Sequence, residues 1–399
     1  MKYINFKPKY NFRMMHRLRF AVCCISLAFT FVLTSFDVSA SGPTVYWGGV
    51  GFSGVWQDRN SLYPATSKLL NCVENEKCLD RLAVEKFAKR KFDKFNLKRD
   101  KIDRKEVEAL VGVLSINSEF YGTHFELGSY EHKARILAQF LIYQIGSGKI
   151  IHNVPFIIYA NSDSPTNTDK EKHNLAEKLI FSGDFFEEAY KKSKQLDPTN
   201  IPGKYSKINK FEFSKSALTS FLATEKSYLG RKFGQFFESE LVGRTDAQFV
   251  PMTIGSNEAG NKIKMTFGDG ERELSVPEAA FNVDVLIRKA ALFGSTRGKQ
   301  RTICPAVALT LNVSTEIDTV TNLKFAVWNQ CGVVHVEQKL EMGYLYQRSL
   351  ISLLQNMAKQ FGMPDPSTKW LASNARGNDG KDVKAEIKKL NNTVFSLDF

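Results

Sequence analysis

A glycine-rich segment near the start of the chain has the pattern closest to a nucleotide-binding motif. Gly49–Gly54 (GVGFSG) matches G-x-G-x-x-G and follows a predicted strand at Val45–Trp47. A dinucleotide site also needs a helix that begins directly after the glycines and an acidic residue that closes the next strand. A polar stretch and then Pro64 intervene here. We therefore expect no cofactor, and we interpret the segment as a strand exit packed by Trp47 and Trp56.

The residues that could form a hydrolytic or metal site are dispersed. Ser53 lies in Gly-Phe-Ser-Gly-Val, where the second glycine comes one place too early for a nucleophile elbow. No histidine stands in a pattern such as H-E-x-x-H. The histidines beyond residue 40 are His124, His132, His152, His173 and His335. We expect partly exposed strand histidines, no metal and no identifiable catalytic residue.

Four cysteines lie beyond residue 40, and they fall into two pairs. Cys72 and Cys78 bracket a short polar segment, and Cys304 and Cys331 are equidistant from the midpoint of Ser314–Thr321. An even number of cysteines in an exported chain is typical of disulfides. A zinc site would need closely spaced ligands with histidines nearby, which neither pair has. We therefore predict the bridges Cys72–Cys78 and Cys304–Cys331.

The second bridge conflicts with the hydrophobic pattern of the strands that would carry it. The apolar residues that alternate along these strands are Val307, Leu309, Leu311, Val313, Leu323, Phe325 and Val327. Pairing the two apolar faces directly leaves the cysteines one residue out of register, on opposite sides of the sheet. A β-bulge would correct the register, and we predict the bridge on that basis.

A basic segment follows the first cysteine pair. Phe87, Phe92 and Phe95 interrupt it at intervals. One interpretation is a contact with an anionic surface, and the alternative is a set of lysines that frame a buried phenylalanine stripe. The candidate contact residues are Lys86, Lys89, Arg90, Lys91, Lys94, Lys98, Arg99 and Lys101.

The first 40 residues have the three parts of a signal peptide. Residues 1–20 contain six basic residues and no acidic one, and the uncharged run Ala21–Phe36 follows. Val38-Ser39-Ala40 then places small residues at a cleavage site before Ser41. The apolar run is shorter than the roughly 20 residues of a spanning helix. We predict cleavage and export, with an uncleaved anchor as the alternative.

Charge and composition narrow the classes of partner. Residues 1–40 hold six basic and one acidic residue, so their removal lowers the net charge from +13 to +8. The remaining charge is spread along the chain, without the stripe typical of a nucleic-acid binder. No segment beyond residue 40 is long and apolar enough to span a membrane. We expect no nucleic-acid partner and no integral span.

The pattern of elements predicts an α+β fold. Three apolar strand-like runs in each half would form a three-stranded antiparallel meander flanked by helices. The predicted strands are Val111–Tyr121, Ala134–Ile145, Ile150–Tyr159, Gln248–Ile254, Lys262–Phe267, Ala306–Val313, Leu323–Trp328 and Val333–Tyr344. The predicted helices are Ala65–Phe95 (broken near the cysteine pair), Lys172–Gln195, one beginning after Ser214 with an aromatic core stripe, Val276–Phe293, and Leu345–Phe361.

These elements suggest two domains. The predicted division is a signal peptide at 1–40, an N-terminal α+β domain at 41–197, a linker at 198–213, a C-terminal α+β domain at 214–363 and a polar tail at 364–399. The halves agree in order of elements but not in residue identity. Both a duplication and two unrelated domains therefore remain open.

Export, disulfides and the absence of a catalytic pattern together predict a class of function. We expect a non-enzymatic protein of the periplasm or the periplasmic face of a Gram-negative outer membrane. It would act as a binding or assembly factor for a surface structure, with other envelope proteins or wall or lipopolysaccharide polymer as partners. The alternatives are an exported hydrolase with dispersed catalytic residues and a secreted effector.

Overall fold

Runs of β-branched and aromatic residues form long strands, and helices cover the faces of the sheets they build. The computed structural model describes residues 42–70, 78–100, 107–126, 128–221, 226–252, 262–328, 331–335 and 342–395. The strands are β1 (Thr44–Ser53), β2 (Asn96–Lys98), β3 (Leu110–Glu126), β4 (Ser129–Gln144), β5 (Ile150–Ser164), β6 (Ser206–Phe213), β7 (Lys262–Phe267), β8 (Gly270–Ser275), β9 (Phe281–Arg297), β10 (Gln300–Ser314), β11 (Thr319–Val327) and β12 (Gly332–His335).

The helices confirm the α+β class when taken with these strands. The α-helices are α1 (Arg59–Leu62), α2 (Leu79–Ala83), α3 (Asp169–Phe181), α4 (Asp184–Ser193), α5 (Lys215–Ser220), α6 (Lys226–Val242), α7 (Met342–Phe361), α8 (Thr368–Asn374) and α9 (Val383–Thr393). Short 3₁₀ turns lie at Trp56–Asp58 and Thr66–Leu69, and a π turn lies at Val84–Ala88. Among the described residues, no helix combines the length and apolarity needed to cross a bilayer.

The strands form two mixed sheets. Sheet one has the order β5-β4-β3-β1-β7-β8, with β2 also paired to β1. Sheet two has the order β11-β10-β9-β6, with β12 also paired to β10. Because β7 and β8 come from the second half of the sequence, sheet one combines both halves. Residues from Pro43 onward form one compact unit, and β6 occupies much of the predicted linker at 198–213.

The largest hydrophobic core lies between sheet two and the helices α6 and α7. Phe221, Phe233, Phe237 and Leu241 are buried there, which confirms the core role predicted for the aromatic stripe. Helix α6 lies very close to β6, because a Cβ added at Gly230 would stand 2.1 Å from a backbone oxygen on that strand. A second core joins sheet one to α3 and α4.

Several predicted elements were wrong. Val276–Phe293 is not a helix, because it contains most of β9. Val283, Val285 and Ile287 alternate with more exposed residues on that strand, and this period of two outweighs helical propensity. Within the predicted helix Ala65–Phe95, the described residues 65–70 and 78–95 contain only short turns of helix. Residues 248–252 form no strand, and helix α7 begins at Met342, inside the predicted strand Val333–Tyr344.

Other elements agree closely with the prediction. Ser214 caps α5, since its hydroxyl accepts a hydrogen bond from the backbone of Ala217 at 3.2 Å. Helices α3 and α4 replace one predicted helix because Gly183, with φ +93°, ends the first and precedes the second. The predicted polar tail contains α8 and α9, and Ile387 and Leu390 of α9 are buried.

Candidate functional site

Strands β9 and β10 extend beyond the core of sheet two as a hairpin that is exposed on both faces. Every residue from 293 to 301 is exposed. The two strands nevertheless stay in register, with Gln300 opposite Arg297 and Cys304 opposite Phe293. Gly298, with φ +61°, makes the turn between them. We call residues 293–304 together with β12 the arm.

A disulfide fastens the third strand of the arm to its base. Strand β12 pairs with β10, from Gln300 opposite His335 to Ile303 opposite Gly332. Next to these pairs, Cys304 and Cys331 form a disulfide with their Cα atoms 4.1 Å apart. The predicted Cys304–Cys331 bridge is therefore confirmed.

The register problem in the sequence is resolved between β11 and β12. Val307 pairs with Val327, and the apolar faces of β10 and β11 meet directly. If β12 continued the register of β11, Ile303 would pair with Cys331. It pairs instead with Gly332, one residue further along the chain. The register against β10 therefore differs by one residue between β11 and β12, which is the shift that the hydrophobic pattern required. Cys78 is also disulfide-bonded, whereas Cys72 lies outside the described residues.

The outward face of the arm carries two exposed apolar side chains among polar ones, and its tip is basic. Alternation along β10 places Cys304, Thr302 and their neighbours Phe293 and Val333 on one face. The side chains of Phe293 and Val333 are 58% and 63% exposed. The cations beyond them at the tip are Arg297, Lys299 and Arg301.

The opposite face fixes the arm to the body. Ile303 is only 3% exposed and forms a small cluster with Tyr344 and Leu345 of α7. Gly294 opposes Ile303, and a Cβ on that glycine would stand 2.2 Å from the backbone oxygen of Thr302. The base of the arm is therefore tightly packed, although its tip is exposed.

The predicted basic contact segment combines buried phenylalanines with cations that are mostly exposed. Phe87, Phe92 and Phe95 are buried, as the interpretation of a framed phenylalanine stripe requires. Arg90 pairs with Glu187 at 2.6 Å and lies over the ring of Tyr190. Exposed cations of this segment are Lys89, Lys91, Lys94, Lys98 and Arg99. Lys86 is half-buried, and Lys101 lies outside the described residues.

Two buried carboxyl groups were missed by sequence reasoning. Glu119 on β3 accepts hydrogen bonds from the backbone of Ala65 at 3.0 Å and of Thr66 at 2.6 Å, so it caps a 3₁₀ turn. It also accepts from the hydroxyl of Tyr121. All of these donors belong to the protein's own interior, which gives Glu119 a structural role.

Glu238 is the second buried carboxyl group, and it lies between α6 and sheet one. Asn153 donates to one of its oxygens at 2.7 Å, and the backbone of Met252 donates to the other at 3.0 Å. Burial nevertheless raises the pKa of Glu238 to about 8, although both hydrogen bonds act in the opposite direction. The group is therefore largely protonated at neutral pH. Because Glu238 belongs to a helix that is buried on several sides, its sequence context gave no signal.

The histidines do not converge. His132 is buried, with its ring nitrogens 3.2 Å from the hydroxyl of Thr123 and 2.8 Å from the carbonyl of Thr166. His152 lies on the neighbouring strand but pairs with Ile142, far along the sheet from His132. Within the described ranges, no set of three or more His, Cys, Asp or Glu side chains is arranged to hold a metal ion.

The glycine-rich segment is part of β1 and is packed against its neighbours. A Cβ on Gly48 would stand 2.6 Å from Val111, and one on Gly51 would stand 2.9 Å from Phe267. The glycines therefore permit close strand packing. Beside them lies a cleft of about 890 Å³ in which Arg272 donates to the Gly48 carbonyl at 2.9 Å and to Asp269 at 2.7 Å.

One further carboxyl group lines this cleft. Asp80 accepts a hydrogen bond from the backbone of Val50 at 3.0 Å, and burial raises the pKa of Asp80. No histidine is among the described residues that line the cleft. The cleft thus lacks the pairing of histidine and carboxylate that the hydrolase alternative calls for.

Comparisons with known proteins give little. No family model matches the chain, and no curated protein matches it significantly. A search of solved structures finds a likeness to rare lipoprotein B from Shewanella oneidensis, with 15% identity and a TM-score of 0.18. That match covers 36% of this chain and 90% of the other. A TM-score of this size does not establish a common fold.

Proposed function

We propose that this chain is an exported, non-enzymatic protein of the bacterial cell envelope that acts as a binding or assembly factor through its arm. Its partner would be another envelope protein or an envelope polymer or lipid. The observation that carries the proposal is the arm itself, an exposed hairpin held in a fixed shape by β12 and the Cys304–Cys331 disulfide.

Two features support export. The N-terminal 40 residues have the order of a signal peptide. Disulfides persist in oxidising compartments such as the periplasm and are rare in the cytosol. A structure that uses Cys304, Cys331 and Cys78 in disulfides therefore fits a protein that folds after translocation.

The shape of the arm supports a binding role. A hairpin with two exposed faces contributes little to the core, so its regular pairing and its disulfide are not needed to bury apolar surface. Exposed apolar residues that are grouped beside charged residues often mark an interaction surface. Because the arm is ordered before it binds, little conformational entropy would be lost on association.

Fractionation combined with site-specific crosslinking tests the proposal. The full chain would be expressed in a Gram-negative host with a photoreactive phenylalanine analogue in place of Phe293. A matched control would place it at Ile317, which is 90% exposed at the far end of the β10–β11 hairpin. We expect the protein in the envelope fractions, with a crosslinked product at Phe293 and not at Ile317. A cytosolic protein, or equal products at both positions, would contradict the proposal.

The cleft beside β1 is the feature that favours the hydrolase alternative. A carboxyl group with a raised pKa in a cleft is the environment of many general acids. An Asp80→Asn variant separates the two functions. Under our proposal it leaves crosslinking at Phe293 unchanged, whereas a loss of hydrolytic activity on wall or polysaccharide substrates would favour the hydrolase. Recovery of the protein mainly from culture supernatant would favour the secreted effector.

A further inference from the structure

The tip of the arm carries three cations. Arg297, Lys299 and Arg301 are exposed. None of the ion pairs formed among the described residues involves them. No Asp or Glu occurs from Val285 to Thr315. The positive potential is therefore concentrated at one end of the arm.

Apolar side chains lie on the same face of the arm as one of these cations, Arg297, whereas strand alternation places Arg301 on the opposite face. Phe293 lies opposite Cys304 at the base of the arm. Two residues nearer the tip, Thr302 lies between Ser295 and Val333, and two residues further on Gln300 lies opposite Arg297. Phe293 and Val333 are both more than half exposed. A soluble polyanion would neutralise the cations but would leave these apolar side chains in water. A bilayer surface offers anionic headgroups and, just beneath them, an apolar layer.

We infer that the arm binds anionic lipid headgroups at a bilayer surface. Arg297, Lys299 and Arg301 pair with the headgroup charges, and Phe293 enters the interfacial layer beside them. This inference rests on the proposed function and names the partner of the same surface. The Cys304–Cys331 disulfide and the pairing of β12 with β10 hold the face that carries Phe293, Val333 and Arg297 together, so these side chains meet the surface as one unit.

The other basic segment lacks the apolar half of this arrangement. Its phenylalanines Phe87, Phe92 and Phe95 are buried, and its Arg90 is paired with Glu187. It therefore provides a matched control for charge alone. Replacing three of its exposed lysines with neutral residues changes the net charge by the same amount as replacing the three cations of the arm.

Vesicle co-sedimentation of the oxidised full chain is the test. The probe is a set of vesicles containing phosphatidylglycerol, compared with vesicles of phosphatidylcholine only. Each cation near an anionic bilayer contributes on the order of 1 kcal/mol, so Arg297→Gln, Lys299→Gln and Arg301→Gln together should weaken binding roughly a hundredfold. The control Lys89→Gln, Lys91→Gln and Lys94→Gln should change it less than about threefold.

A second pair of variants tests the apolar contact without altering charge. Phe293→Ser should weaken binding to the anionic vesicles by about tenfold, from partial loss of aromatic burial, while Ile317→Ser should leave it unchanged. Equal losses for the arm and control triples, or equal binding to both kinds of vesicle, would overturn the inference. So would binding to soluble polyphosphate without binding to vesicles. A Phe293 crosslink to an envelope protein with no vesicle binding would refute the lipid partner and leave the proposed function standing.

Discussion

The protonation of Glu238 makes the stability of this protein depend on pH in a direction opposite to that of most carboxyl groups. The folded-state pKa is about 8, whereas an unfolded glutamate titrates near 4.3. A raised pKa means that the folded state binds the proton more tightly. The contribution is therefore fully present below the unfolded pKa and is lost as the pH rises through the folded pKa.

The size of the effect follows from these two values. Between pH 6 and pH 8 the glutamate of the unfolded state is already deprotonated, while the folded state keeps its proton until about pH 8. The linkage relation then predicts a fall of about 2 kcal/mol in the free energy of unfolding over that interval. Glu238→Gln removes the titration, so that component of the pH dependence should disappear.

Urea unfolding at pH 6, 7 and 8, followed by tryptophan fluorescence, measures this difference. Glu240→Gln on the same helix is the control, because Glu240 lies nearer the surface and pairs with Arg244. Glutamine has one acceptor oxygen where Glu238 has two, so either Asn153 or the backbone of Met252 loses its partner. The free energy of unfolding of Glu238→Gln should therefore be lower than that of the wild type by a pH-independent amount of about 1–3 kcal/mol. The reasoning is refuted if wild type and Glu238→Gln show the same pH dependence.

Three other outcomes are expected. Replacing both Cys304 and Cys331 with serine should lower the free energy of unfolding by about 3.5 kcal/mol, as for a closed loop of this length, and reduction of the wild type should have a similar effect in urea unfolding. Gly230→Ala should cost about 1–3 kcal/mol because its Cβ meets a backbone carbonyl on β6, whereas Gly203→Ala, with open space around it, should cost far less. Burial lowers the pKa of His152, so stability should fall as the pH drops below about 6.5, and His152→Phe should reduce that loss in circular-dichroism melts.

The sequence predicted elements well where one pattern dominated. The strand runs that became β3, β4 and β5 are rich in β-branched and aromatic residues, and little in them favours a helix. The disulfide at Cys304 was predicted together with the one-residue shift of register that separates β11 from β12. In β9, by contrast, helix-compatible residues such as Leu286, Ala290 and Ala291 concealed an alternating pattern that only pairing with β10 enforces.

The parts that the sequence could not supply depend on tertiary packing. Glu119 and Glu238 resemble ordinary surface acids in the sequence, and they are buried only because α6 and the 3₁₀ turn close over sheet one. The arm was also not predicted. Its exposure depends on where β10 leaves the core, and that position is set by residues distant in sequence such as Tyr344. The division into two domains stays a prediction.

Export and the disulfide-braced arm are tested together by N-terminal sequencing and thiol counting on the protein recovered from envelope fractions. We expect a chain that begins at Ser41 and has no free thiol, with peptide mapping that joins Cys304 to Cys331 and Cys72 to Cys78. An uncleaved chain recovered from the cytosol with its cysteines reduced would contradict export, the disulfide-braced arm and the envelope role together.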